Sequence, residues 1–368
     1  MRIAQVAPLA ESVPPKLYGG TERVVAWLVD ELVSMGHEVT LFASADSKTS
    51  AKLHGVWPRA LRLGRPRTDP MVAQAALLEA VALHAPEFDV IHIHIDWLHL
   101  PLLSRLGVPF LTTCHGRMDL PGFSNVVQRF PDAPFVSISD NQRLPLKEAK
   151  WLGTVYHGLP ADLFRPSFEP GSYLAFLGRL TAEKGPEAAI RIARAAKMPL
   201  RIAAKIPRGE RNYFKEKLEP QIDGEQIQLT GEVNDEMKRQ FLAGAAALLF
   251  PIDWPEPFGL VMIEAMACGT PVVAFRCGST PEIVEDGKTG FLVDTLEQAV
   301  AAAGRARLLD REAIRARFDL RFSATAMARR YLDVYGDLLA RRPYAEEPLA
   351  DVVTPLRPTE ERSFALGA

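Results

Sequence analysis

Residues 1–36 read MRIAQVAPLAESVPPKLYGGTERVVAWLVDELVSMG. Ile3-Ala4-Gln5-Val6-Ala7 is a strand-like run, and Tyr18-Gly19-Gly20 breaks the chain after it. Thr21 offers an N-cap for a helix over residues 22–35. Val24, Trp27, Leu28, Leu32 and Met35 form its apolar stripe, and Gly36 follows at the C′ position. Strand, glycine loop and helix make the opening unit of a parallel α/β sheet.

The same alternation runs outward from this unit. Further strands are predicted at 38–43, 90–95, 110–114, 135–138 and 154–156, with helices at 71–84 and 97–106. A second set follows Pro166: strands at 173–177, 201–204, 228–230, 247–250, 272–275 and 291–293, and helices at 186–196, 235–242, 258–267 and 296–307. Pro166, Pro170, Gly171 and Ser172 read as a linker. The expectation is two doubly wound, Rossmann-like domains, 1–166 and 167–322, then a helical segment 323–342. The Pro- and charge-rich tail 343–368 has little to bury and is expected to be mobile.

Composition agrees with two globular domains. The chain has 368 residues, 48% hydrophobic and 24% charged, against roughly 100–200 residues per domain. Its 43 basic and 45 acidic residues give a formal charge of −2, which excludes a globally basic nucleic-acid binder. The longest uncharged apolar stretch, residues 240–252, is 13 residues long, and a span needs about 20. The start lacks the h-region of a secretory signal. Cys114, Cys268 and Cys277 form neither a disulfide framework nor a zinc pattern, so a cytoplasmic protein is expected.

Four constellations could carry chemistry. Gly19 and Gly20 open a helix whose N-terminus suits an anion, or simply make a tight turn. Gly178-Arg179-Leu180-Thr181-Ala182-Glu183-Lys184-Gly185 brings two cations to a strand's carboxyl end, where a diphosphate would fit, as would a solvated loop. Glu256-Pro257-Phe258-Gly259-Leu260 starts a helix carrying Glu264 on an apolar face. A buried carboxylate there needs a partner: ribose hydroxyls, or a cation elsewhere in the chain. His92 and His94 share one face of a strand, a weak metal pattern. His115 closes the next strand and suits either a structural or a site histidine. No Asp-x-Asp, G-x-S-x-G, P-loop or HExxH motif occurs.

Taken in order, these residues resemble the family 4 retaining glycosyltransferases of GT-B fold, over nearly all of residues 1–340. The carriers are Glu256 and Glu264 (E-x7-E) with the run to Ala274, Gly178-Arg179-Leu180 with Glu183-Lys184-Gly185, and the segment 281–293. Two departures stand out: His157 where the family usually has Asn, and Cys277-Gly278-Ser279-Thr280 where Gly-Gly is common.

The resemblance implies a cleft between two domains, with the helix after Ser323 crossing back to the first. It implies that Arg179 and Lys184 hold the donor diphosphate and Glu264 binds ribose. Glu256, Phe258, Gly259 and Leu260 would meet sugar and phosphate. His115 would lie near the anomeric region, and Gly19 and Gly20 near the phosphate and the acceptor entrance. The expected activity is transfer of a hexose-type sugar from a nucleotide diphosphate sugar, with retention and without a metal or other cofactor. The acceptor is an unidentified glycan, lipid or small molecule, and the sequence does not give the oligomeric state. A GT-B epimerase and a non-catalytic sugar-nucleotide-binding protein are the alternatives. Arg59, Arg62, Arg65 and Arg67 before the helix at 71–84 allow a peripheral membrane contact, though a solvated loop beside a core helix is the commoner meaning.

Overall fold

The computed structural model describes residues 1–16 and 19–340. The expected mobile tail from Pro343 and the aromatic of the Tyr18-Gly19-Gly20 loop lie outside the described residues. In the first half the strands are β1 (Arg2–Val6), β2 (Glu38–Ser44), β3 (Lys52–Trp57), β4 (Val90–Ile93), β5 (Phe110–Thr113), β6 (Pro134–Ser137) and β7 (Lys150–Thr154). They form one parallel sheet in the order β3-β2-β1-β4-β5-β6-β7. The helices are α1 (Gly20–Ser34), α2 (Pro70–His84), α3 (Leu100–Leu106) and α4 (Phe123–Arg129).

The second half repeats the plan. β8 (Tyr173–Arg179), β9 (Leu200–Lys205), β10 (Ile227–Gly231), β11 (Ala245–Phe250), β12 (Val272–Phe275) and β13 (Gly290–Val293) pair in parallel as β10-β9-β8-β11-β12-β13. Its helices are α5 (Pro186–Ala196), the turn α6 (Arg211–Tyr213), α7 (Asp235–Ala243), α8 (Leu260–Ala267), the turn α9 (Thr280–Ile283), α10 (Leu296–Ala306) and α11 (Arg311–Phe322). The final helix is α12 (Ala324–Ala340). Strand order reverses between β1 and β4 and again between β8 and β11. At such a switch point the loops after the two strands part and leave a crevice at the carboxyl ends.

Burial explains why the central strands read so clearly. β4 and β11 are buried at every position, as strands covered on both faces must be. α1 and α12 pack together on one face of the first sheet, with Leu28, Leu32, Met327 and Tyr331 in a common core. Leu77, Val81 and Leu100 cover the other face. The chain crosses between the halves twice, side by side: Leu159 N donates to Phe322 O at 2.9 Å and Ala324 N to Leu159 O at 2.7 Å. α12 then runs back onto the first half, where Thr325 Oγ1 donates to Glu31 Oε2 of α1 at 3.1 Å.

Several elements differ from the sequence reading. The strand expected at 154–156 lies earlier, as β7, because Lys150–Thr154 forms the sheet edge and alternates weakly in polarity. β3 was not expected; it is the half-buried opposite edge, where Lys52, His54 and Gly55 dilute the strand pattern. α11 also escaped, since its arginines mask a stripe of Ile314, Phe318 and Phe322. α1 starts at Gly20 with Gly19 as N-cap, so Thr21 lies inside the first turn and does not cap it.

Candidate active site

The carboxyl ends of both sheets line one cleft of about 720 Å³. Gly19, Gly20 and His115 reach it from the first half; Arg179, Lys184, Glu256 and Glu264 reach it from the second, with Phe258, Gly259 and Leu260 between them. The residues expected at the donor site therefore meet in one place, while His92 and His94 do not line it. The shared position follows from the topology, which puts His115 two residues past the end of β5 and Arg179 at the end of β8, on facing edges.

Backbone shape prepares two helix starts in this cleft. Gly19 precedes α1 and Gly259 precedes α8, and neither helix has a side-chain cap on its first N–H groups. Those groups and the positive end of the dipole favour an anion. Gly259 takes φ +82°, and a Cβ there would lie 2.8 Å from Met262 Cε. This left-handed residue is why α8 starts at Leu260, two residues later than expected. Gly278 takes φ +57°, and a Cβ would stand 2.4 Å from Glu256 N. The next residue, Ser279, needs no glycine freedom: its φ is −76°, and its buried hydroxyl donates to Phe258 O at 2.7 Å.

Charge is organised in pairs. Lys184 Nζ bonds Glu256 Oε2, and both side chains are largely buried. Lys238 Nζ bonds Glu264 Oε1 at 2.7 Å, with Glu264 only 7% exposed. The cation that the buried Glu264 requires is therefore Lys238. Arg179 is 41% exposed and touches Glu183 Oε1 at 3.1 Å. At the rim, Arg23 Nη1 of α1 donates to both carboxylate oxygens of Asp235 of α7 at 2.7 and 2.8 Å, joining the two halves.

The histidines make a third layer. His115 Nε2 lies 2.9 Å from His94 Nδ1, and the His115 ring stacks on His157 with centroids 5.2 Å apart. His157 in turn meets the edge of Phe258 at 4.9 Å. Burial pushes the His115 ring down to about 3 and His94 and His157 well below their ordinary value, so all three are neutral near pH 7. The ring nitrogens of His92 and His94 are all taken up in hydrogen bonds.

The sequence pattern of glycosyl transferases group 1 matches residues 164–321, and that of glycosyltransferase family 4 matches residues 18–148. A D-inositol 3-phosphate glycosyltransferase of Mycobacterium leprae is 30% identical, over 77% of this chain and 78% of that protein. The chain belongs to the family 4 (group 1) glycosyltransferases. AviGT4, a glycosyltransferase involved in avilamycin A biosynthesis, has a crystal structure matching at TM-score 0.69 and 26% identity, covering 93% of this chain and 99% of that one. Anabaena HepE, solved with UDP and glucose, shares the fold at TM-score 0.68 and 20% identity, over 92% of this chain and all of that one. This glycosyltransferase thus has the GT-B arrangement of two parallel α/β sheets.

Some cleft residues carried no sequence signal. Lys238 sits in an ordinary amphipathic helix, four residues after the N-cap Asn234, whose side chain accepts from Met237 N. Arg23 and Asp235 are 212 positions apart. Lys205 and Glu232 also line the cleft. They could have been sought as polar residues at the end of β9 and just after β10, since ligands in this fold meet strand carboxyl ends.

Proposed function

We propose that this glycosyltransferase moves a hexose-type sugar from a nucleotide diphosphate sugar to a hydroxyl acceptor, with retention and without a metal. The observation that carries this reading is the arrangement of Arg179, Lys184 and the uncapped start of α8 at one edge, with Glu256 and Glu264 beside them. Cations and free N–H groups suit a diphosphate; carboxylates suit sugar and ribose hydroxyls.

As the bond from the anomeric carbon to the phosphate oxygen breaks, negative charge grows on the diphosphate. Arg179, Lys184 and the α8 amides are preorganised to meet it. A carboxylate nucleophile would serve a double-displacement route. Glu256 and Glu264 are each already held by a lysine, so the reading is front-face attack, with the leaving phosphate taking the acceptor proton.

A second cavity of about 530 Å³ adjoins His115 and fits the acceptor. Asp96, Trp97 and Gln74 line it, and Trp97 Nε1 and Gln74 Oε1 are buried without a hydrogen-bond partner among the described residues. Among the described residues no Lys or Arg lines it. An uncharged polyhydroxylated acceptor satisfies these groups, whereas a phosphorylated one would bring its charge to a cavity holding Asp96. Among the described residues no helix is long and apolar enough to cross a membrane.

The test is to incubate the protein with UDP-glucose, with which HepE has been solved in complex, and a panel of neutral and phosphorylated polyols in EDTA. A retained-configuration glycoside on a neutral polyol is expected. Epimerised sugar nucleotide, or a product formed only on phosphorylated polyols, contradicts the reading.

A further inference from the structure

His115 ends a buried hydrogen-bond chain that starts on the C-terminal helix. Gln5 Nε2 donates to Tyr335 Oη at 3.0 Å. Gln5 Oε1 lies 2.7 Å from His94 Nε2, and His94 Nδ1 lies 2.9 Å from His115 Nε2. On the other side of Tyr335, its hydroxyl is 2.7 Å from His92 Nδ1, and His92 Nε2 is 2.7 Å from Thr113 Oγ1. Thr113 Oγ1 meets Tyr331 Oη at 3.0 Å.

Each hydrogen follows from the Gln5 amide, whose Nε2 faces Tyr335 Oη and whose Oε1 faces His94. An amide oxygen only accepts, so His94 Nε2 carries its hydrogen. Gln5, His92 and His94 are buried, and no carboxylate acts on the three rings. Charging one ring would strip its hydration and repel the next, so the rings stay neutral. Neutral His94 then has a bare Nδ1, which must accept from His115 Nε2–H. That leaves Nδ1 as the only acceptor the His115 ring can offer, and this atom is buried with no partner among the described residues. Such an orphan is costly until something donates to it.

We propose that Tyr335, Gln5 and His94 are positioning residues that lock His115 as the Nε2–H tautomer, so that its Nδ1 takes a hydrogen bond from a ligand hydroxyl in the cleft. The helix that crosses back from the second half thereby sets the hydrogen-bonding sense of a cleft residue in the first. The ligand part of this inference rests on the cleft being a sugar-nucleotide site; the tautomer does not.

The first measurement is two-bond ¹⁵N–¹H correlation on the full chain labelled in histidine, without ligand. The expected pattern is a protonated Nε2 and a bare Nδ1 for both His94 and His115. An Nδ1–H ring at His115, with the chain running in reverse, or a charged ring overturns the proposal. The second compares Tyr335→Phe with Tyr331→Phe, which removes a hydroxyl from the same helix at the far end of the chain. Tyr335→Phe should mix the His115 tautomers and weaken UDP-glucose binding about tenfold while leaving UDP binding unchanged. Tyr331→Phe should do neither. Equal effects from both variants reduce the chain to simple packing and overturn the positioning role. If UDP-glucose fails to bind the unaltered protein, the donor reading fails, and the spectrum alone still decides the tautomer.

Discussion

Lys238 Nζ stands 2.7 Å from Glu264 Oε1, joining α7 to α8 in the wall of the cleft, with exposures of only 15% and 7%. The pair has two duties on this account. It neutralises a carboxylate that the apolar face of α8 could not otherwise hold, and it aims that carboxylate at a ligand diol. Glu264→Gln leaves Lys238 only its longer contact to Asp235 at 3.8 Å, so it should cost about 1–3 kcal/mol of stability and weaken nucleotide binding roughly 10–100-fold. Adding Lys238→Met should restore the stability but not the binding. Urea unfolding beside nucleotide titration checks both; recovery of both together would make the pair purely structural.

Arg179 and Lys184 are assigned to the departing diphosphate. Arg179→Ala should lower turnover by about 10²–10³, the usual loss of a preorganised charge-stabilising donor. Its fold should be unaffected, because its partner Glu183 is on the surface and such pairs contribute about 0–1 kcal/mol. Steady-state kinetics with melting curves makes the comparison.

Gly278→Ala should damage the site without touching a charge. Its φ of +57° is strained for alanine, and the added Cβ meets Glu256 N at 2.4 Å. A stability loss of about 1–2 kcal/mol is expected from the backbone alone, with weakened donor-sugar binding as the Glu256 loop shifts. By contrast Ser279→Gly should change activity little, since Ser279 already has ordinary helical dihedrals.

Stability should fall as pH falls below about 6.5. Burial holds His92, His94 and His157 well below the ordinary 6.5, and His99 and His115 at about 3. Unfolding frees these rings, so between about pH 6.5 and pH 3 the unfolded chain takes up protons that the folded one does not. The slope is at most about 1.4 kcal/mol per pH unit for each histidine. Asp89, held low by its hydrogen bonds from Arg2, adds to the loss only below about pH 4. Melting temperatures at pH 7.5, 6 and 5 should show the decline starting near 6.5; a flat curve down to pH 5 contradicts it.

The fold was readable where both faces of a strand are buried, as at Val90 to Ile93 and Ala245 to Phe250, because packing leaves a nearly continuous apolar run there, broken only by His92. It was least readable at the edges β3 and β7, where one side meets water and the pattern weakens. The lining of the cleft was readable where it falls on a loop and a helix start, as in Glu256 through Glu264. Lys238 was not, because nothing local distinguishes a lysine that faces a buried carboxylate from one that faces solvent. Nor was the Gln5–His94–His115 chain, which joins β1, β4 and the end of β5, or its link to Tyr335, which α12 makes by returning across the first sheet.

The central claim is that this cleft holds a nucleotide diphosphate through Arg179, Lys184 and Glu264. Calorimetric titration of UDP, GDP and ADP, with EDTA present, tests it most directly. One of the three should bind with a stoichiometry of one, and the Arg179→Ala, Lys184→Ala double variant, still folded, should lose that binding. No binding by any of them, or undiminished binding by the double variant, would contradict the account.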